Sequence, residues 1–188
     1  MRVDLHLAEA AGWRGLLTQA QQRTQCFLNE AVEEYLVCLL YRSLGSAAAP
    51  ASLRAAGFAN VLLDAGQGSG QDLAAVGDQC LIFAGLFPEH AIRKGIPLSY
   101  FVQVGRQAYH EQAATARAEE PTLYRTLAEQ FVPILDLFLT MRGFDRDQPG
   151  LDGLNAYQLW QDTGSMHGWH VLQKLTPALP ASVTAAKH

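Results

Sequence analysis

An apolar run of eight residues, Cys80 to Phe87, limits what this chain can form more than any other part of its sequence. The run follows Asp78 and ends at Pro88, which stops a helix because proline lacks a backbone N–H and its ring clashes with the preceding turn. The stretch that begins at Asp72 is longer than a usual strand and shorter than the ~20 apolar residues that span a membrane. Its apolar side chains cover most sides of a helix, which is typical of a buried helix. We therefore predict a central core helix here, with Asp72 as its N-cap.

The rest of the chain shows helical spacing of apolar residues and little strand pattern. Apolar positions recur every three or four residues in 4–23, 24–44, 99–119 and 121–142, although Gly12 and Gly15 weaken the first of these stretches. Pro133 is expected to kink the last one, and two short helices are predicted within 154–175. We predict an all-α, single-domain helical bundle of about six to eight helices over residues 1–176, followed by a loose C-terminal tail at 177–188.

The composition is typical of a globular protein. The 188 residues suit one domain, and 49% are apolar while 17% are charged. The first ten residues contain Asp4 and Glu9, where a signal peptide would need an apolar run. The three cysteines are an odd number without metal-type spacing, which fits reduced thiols. We therefore predict a soluble, cytoplasmic protein of bacterial type that does not enter a membrane.

The charge distribution argues against nucleic-acid binding. The net charge is −4, and the 14 basic residues are spread from Arg2 to Lys187 without a basic cluster. A nucleic-acid-binding domain usually concentrates such residues on one face. We predict that the chain does not bind nucleic acid.

Familiar catalytic and nucleotide-binding motifs are absent from the sequence. It contains no Walker A motif, no G-x-S-x-G and no H-E-x-x-H. The Gly-rich stretch at 66–70 precedes a predicted helix but lacks the lysine and the strand of a phosphate loop, so it is interpreted as a connection. Cys80 lies inside the apolar run, which favours a core residue over a nucleophile.

The sequence supports a metal site only weakly. A helical di-metal site needs Glu-x-x-His on two helices, and that motif does not occur. Glu129 and Asp136 fall with Thr140 on the predicted polar face of their helix. His167 and His170 are three residues apart and could share a helix face, but such pairs are common by chance. We predict no metal and no cofactor, with His167 and His170 as weak candidates.

Asp78 is the residue whose role the sequence leaves open. An ionised Asp on a buried helix must be paired or must reach an edge. Arg106 on the next helix is the first choice of partner, and Arg42 at the end of the second helix is the rival. Asp78 therefore either forms a structural ion pair, which is favoured, or lines a ligand pocket. The candidates for the pocket are Tyr35, Asp78, Phe83, Arg106 and Tyr109.

Residues 76–109 resemble an uncharacterised family of bacterial all-helical proteins. The likeness is carried by "G-D-x-x-L-x-F-x-G-x-F", which begins at Gly77, and by "Y-F-x-x-x-G-x-x-A-Y", which begins at Tyr100. The resemblance implies helices that pack through small residues. It implies no activity, cofactor or partner.

Two classes of function follow. The leading hypothesis is a helical binding or interaction protein without identifiable catalytic apparatus, whose partner is another protein or a second copy of the chain in a homodimer. The alternative is a small-molecule-binding or enzymatic helical domain with a pocket around Asp78, Arg106 and Tyr109.

Overall fold

The computed structural model of the protein describes residues 2–44, 73–115, 120–144 and 150–175, with only the backbone described for 2–10 and 120. All regular structure in these ranges is helical, which confirms the predicted all-α class. The predicted N-cap at residue 72, the Gly-rich stretch at 66–70 and the tail at 177–188 lie outside the described residues. The helices, numbered in chain order, are α1 (Arg2–Thr24), α2 (Glu30–Leu44), α3 (Leu73–Leu86), α4 (Pro88–Arg93), α5 (Leu98–Thr115), α6 (Glu120–Glu129), α7 (Phe131–Arg142), α8 (Gly153–Thr163) and α9 (Met166–Leu175).

The described ranges contain nine helices, more than the six to eight predicted, for two local reasons. Pro88 ends α3 and begins the separate short helix α4. The predicted helix at 121–142 is divided at Gln130 into α6 and α7. The ring of Pro133 and its missing N–H conflict with the carbonyl of Glu129, four residues earlier, and Glu129 is the last residue of α6. The predicted kink is therefore a break that lies before the proline.

The first two helices differ from their sequence patterns in length. α1 runs without a break through Gly12 and Gly15, where an added Cβ would meet open space. α2 begins later than its apolar pattern, because Asn29 accepts the backbone N–H of Val32 on its side chain at 2.9 Å and so acts as an N-cap. Phe27 consequently lies outside the helix and is 67% exposed.

α3 is the central core helix that the sequence predicts, and it packs chiefly against α5 and α7. Two of its glycines permit this packing. A Cβ at Gly77 would lie 2.5 Å from the ring of Tyr109 on α5, and a Cβ at Gly85 would lie 2.6 Å from Cβ of Phe138 on α7. The small residues of α3 therefore admit two neighbouring helices.

Hydropathy along the described helices bears on the membrane prediction. None of these helices combines the length and apolar character needed to cross a bilayer.

Candidate functional site

Asp78 lies in the core, and both of its carboxylate oxygens accept hydrogen bonds. Its side chain is 12% exposed. The hydroxyls of Tyr35 and Tyr109 donate to Oδ1 at 2.7 and 2.8 Å, and Nη2 of Arg42 donates to Oδ2 at 3.1 Å. We call these four residues the Asp78 cluster. It joins α2, α3 and α5.

The helical register of the sequence explains how the Asp78 cluster forms. Tyr35 and Arg42 are seven residues apart on α2, which is close to two turns, so they share a face. Gly77 leaves room for the ring of Tyr109 beside the carboxylate. Tyr124 on α6 stacks on Tyr109 with ring centroids 6.2 Å apart, and it meets Tyr35 edge to face at 6.1 Å. Such ring pairs add to the energy of burial and fix the direction of the two hydroxyls.

The electrostatics of the Asp78 cluster favour a structural role. Burial, followed by the charge of Asp78, raises the pKa of Tyr35 and of Tyr109 above their ordinary range. Both hydroxyls therefore remain protonated and continue to donate. The side chain of Arg42 is 60% exposed, so the ion pair extends to the surface. Taking up a proton would weaken or displace at least one of the three hydrogen bonds that this carboxylate accepts, which disfavours a role as a general base.

Three of the five predicted pocket residues belong to the Asp78 cluster, and two do not. Tyr35, Asp78 and Tyr109 come together. Arg106 was the wrong choice of partner, because it is exposed on α5 one position beyond the buried Gly105, and the rival Arg42 forms the ion pair. Phe83 is buried, but it lies five residues after Asp78 on α3. At about 100° for each residue, its side chain is therefore about 140° away from that of Asp78 around the helix axis.

Arg106 belongs to a different surface feature. It lines an open depression of about 420 Å³ between α5 and α8. The other residues of this α5–α8 depression are Val102, Gln103, Gln107, His110, Asp162 and Thr163.

Asp136 is a second buried carboxylate, and its assignment to a polar helix face was wrong. It is 6% exposed and accepts from the hydroxyl of Ser165 at 2.5 Å. It also accepts from the backbone N–H groups of Met166 at 2.7 Å and His167 at 3.2 Å. The hydroxyl oxygen of Ser165 in turn accepts the N–H of Gly168 at 3.1 Å. A side chain from α7 therefore caps the first turn of α9.

The pKa of Asp136 reflects this environment. Burial raises the pKa above its ordinary value, while the hydrogen bonds from Ser165 and from the backbone of α9 act in the opposite direction. The sequence held a partial signal, because Asp136 stands between Leu135 and Leu137 and Ser165 directly precedes a helix. It did not show that these two elements meet.

The contacts of Thr140 allow one tautomer to be assigned to His167. Oγ1 of Thr140 donates its single proton to the carbonyl of Asp136 at 2.7 Å, and Nδ1 of His167 lies 3.3 Å from the same Oγ1. Because the shorter contact takes the hydroxyl proton, Nδ1 carries a hydrogen and donates it to Thr140. Burial, with the positive charge of Lys174 next, lowers the pKa of His167 to about 4. The imidazole is therefore neutral at neutral pH, and Nε2 is left as an acceptor.

The two histidines of α9 have the helical spacing that the sequence predicts. His167 is half-buried and His170 is exposed. Within the described ranges, no group of three or more His, Cys, Asp or Glu side chains could hold a metal ion. The expectation that the chain holds no metal, with His167 and His170 as weak candidates, stays a prediction.

A second depression, of about 360 Å³, lies where α1, α7 and α9 meet. We call it the basic depression, because its charged lining residues, Arg23 and Lys174, are both positive and no acidic side chain is among its described lining residues. Arg23 is positioned by the ring of Phe144, whose centroid is 5.7 Å from the guanidinium carbon. The residues that line the depression are Arg23, Thr24, Thr140, Gly143, His167, His170, Val171, Gln173 and Lys174.

Cys80 is the core residue that its position predicts. It has no exposed surface, and burial raises the pKa of its thiol to about 12. The thiol is therefore protonated at neutral pH and does not act as a nucleophile.

Comparison of the chain with protein-family models, with curated proteins and with solved structures finds no match. The resemblance of residues 76–109 to a bacterial helical family stays a prediction.

Proposed function

We propose that this protein is a helical binding protein without a catalytic role, and that it holds a small molecule in the basic depression. The observation that carries the proposal is the lining of that depression. Three helices distant in sequence bring two cationic side chains, two imidazoles and two hydroxyls around one concavity. A concavity with a few convergent polar groups is the usual form of a ligand site, and 360 Å³ falls within the usual range of volumes.

The hydrogen bonds of Asp136 support the proposal because they hold the floor of the basic depression in place. Asp136 fixes the first turn of α9, and its carbonyl accepts from Thr140, which in turn accepts from His167. Two lining residues, one on α7 and one on α9, are therefore tied to the same buried residue. Such support reduces the entropy that a ligand must overcome on binding.

The Asp78 cluster is less suited to a ligand. The donors Tyr35, Tyr109 and Arg42 already occupy both carboxylate oxygens. A ligand would have to displace buried hydroxyl groups, which costs about 1–3 kcal/mol for each donor left unsatisfied. The Asp78 cluster is therefore proposed as part of the scaffold, and a pocket there is the less favoured alternative.

A thermal-shift screen against small metabolites tests the proposed function. A ligand at one hundred times its Kd adds about 2.7 kcal/mol, which raises the Tm of a chain of this size by roughly 5–10 °C. We expect such a shift in Tm for wild type. We expect it to be lost in Val171→Trp, because the indole ring is larger than the valine side chain and fills the basic depression.

The matched control is Gln107→Trp, which puts the same ring into the α5–α8 depression. It should keep the shift. A ligand whose shift survives Val171→Trp and disappears in Gln107→Trp would contradict the proposal.

Other features stay proposals from the sequence. These are a single helical domain, a cytoplasmic location, the absence of nucleic-acid binding, and a protein partner or homodimer. The last is supported by exposed large apolar side chains on the final two helices, which are Leu154, Tyr157, Met166 and Leu175.

A further inference from the structure

The hydroxyl groups in the basic depression are acceptors and not donors. Thr24 donates its proton to the carbonyl of Ala20 at 2.9 Å, and Thr140 donates to the carbonyl of Asp136 at 2.7 Å. A threonine hydroxyl has one proton and two lone pairs. Both threonines therefore offer only lone pairs to anything else, and Thr140 already uses one of them for His167.

His167 adds a third acceptor. Its Nδ1 hydrogen is directed to Thr140, so Nε2 carries a lone pair when the ring is neutral. Within the described residues, Nε2 makes no hydrogen bond. Because burial holds the ring neutral at neutral pH, protonation of Nε2 does not turn it into a donor.

Two positive charges lie beside these acceptors. Arg23 lies in the last turn of α1, and Lys174 lies in the last turn of α9. Both side chains offer donors only and favour an oxyanion. Gln173 and His170 also line the depression, and each carries an N–H donor. A simple anion, which carries acceptors alone, could bind these donors and the two cations, but it would leave the lone pairs of Thr24 and of His167 Nε2 without a donor.

We propose that the basic depression binds a small molecule bearing an oxyanion that keeps an O–H donor, the chemistry of a protonated phosphate group. Arg23 and Lys174 bind the anionic oxygens, and Nε2 of His167 accepts the O–H. The volume exceeds what a bare phosphate ion needs, so the natural ligand carries a small organic part, as in a phosphate monoester that binds as its monoanion, the form that keeps one O–H. This inference rests on the proposed binding role of the same depression.

Calorimetric titration with inorganic phosphate and with sulfate tests the inference. The two ions have similar size and shape, but at neutral pH phosphate keeps at least one O–H and sulfate keeps none. We expect phosphate to bind at least about tenfold more tightly, the effect of one hydrogen bond to a charged group. His167→Phe should lower phosphate affinity to the level of sulfate and leave sulfate unchanged.

Lys174→Gln should lower the affinity for both ions by about tenfold. Lys174 is exposed, so this variant is expected to fold normally. Arg106→Gln, in the α5–α8 depression, is the matched control and should change neither affinity. Equal affinities of wild type for phosphate and sulfate would overturn the donor requirement. If neither ion bound while a screened metabolite still lost its shift in Val171→Trp, this inference would be wrong and the proposed function would stand. If no ligand of any kind depended on Val171, both would be wrong.

Discussion

Asp78→Ala is expected to lower the free energy of unfolding by about 2–4 kcal/mol. The loss comes mainly from the tyrosine hydroxyls, since Tyr109 is completely buried and Tyr35 is half-buried, and each loses its acceptor. The structural ion pair that the sequence favours would instead place the main cost on an arginine left without its partner. Arg42 is 60% exposed, so its guanidinium returns to water at little cost. Denaturant melts at matched m-values measure the difference.

Arg42→Gln is the matched control for this experiment. It removes the ion pair and leaves the tyrosine bonds in place, so it should cost less than about 1 kcal/mol, the scale of an exposed pair. If Asp78→Ala also cost less than that, the carboxylate would not be a structural partner of the two hydroxyls. The interpretation of Asp78 as scaffold would then be abandoned.

Asp136→Ala is expected to cost about 3–5 kcal/mol, the larger effect of the two. The change removes the acceptor for the Ser165 hydroxyl, which has no exposed surface, and for two N–H groups at the start of α9. Because the surroundings of Ser165 are closed to bulk solvent, its hydroxyl is expected to bear most of the cost of an unsatisfied buried donor.

The chain provides a control for the loss of a helix cap alone. Asp152 caps α8 by accepting the backbone N–H of Asn155 at 3.0 Å, and it is exposed. Asp152→Ala should therefore cost about 1 kcal/mol, as an ordinary N-cap does. Denaturant melts that gave the same loss in free energy of unfolding for Asp136→Ala and Asp152→Ala would show that the burial of Asp136 contributes nothing beyond an ordinary cap.

The helices were predictable from sequence because their signals are local. The apolar run before Pro88 defined α3, and the apolar spacing after it defined α5 with the buried Gly105. Asp78 was singled out because it is an acid on a helix that is otherwise apolar, and Tyr35 and Tyr109 were named with it as candidates for a pocket. The partner of Asp78 was not predictable in this way. It depends on which helix end lies beside α3 in space, and sequence spacing alone does not distinguish Arg42 from Arg106.

The misassignment of Asp136 has a specific cause. A continuous helix through residues 121–142 would place Asp136 on the same face as Glu129, which is exposed. In the structure the start of α9 covers Asp136, through the hydroxyl of Ser165 and the backbone N–H groups of Met166 and His167. The spacing of residues within one helix does not show which other element of the fold covers its polar face.

The basic depression could not be predicted from sequence, because its parts are far apart along the chain. Arg23, Thr140 and Lys174 lie on three helices, and each residue alone has no distinguishing pattern. The only local signal was the spacing of His167 and His170, which the sequence connects with a metal as readily as with an anion.

Nuclear magnetic resonance of protein with ¹⁵N-labelled histidine, titrated with inorganic phosphate, tests the location of the ligand site most directly. We expect the imidazole signals of His167 and His170 to move, with His167 Nε2 changing from an unprotonated nitrogen without a partner to one that accepts a hydrogen bond. His110 lines the α5–α8 depression and is the internal control, so its signals should stay in place. Movement of His110 with no change at His167 and His170 would contradict the proposed site.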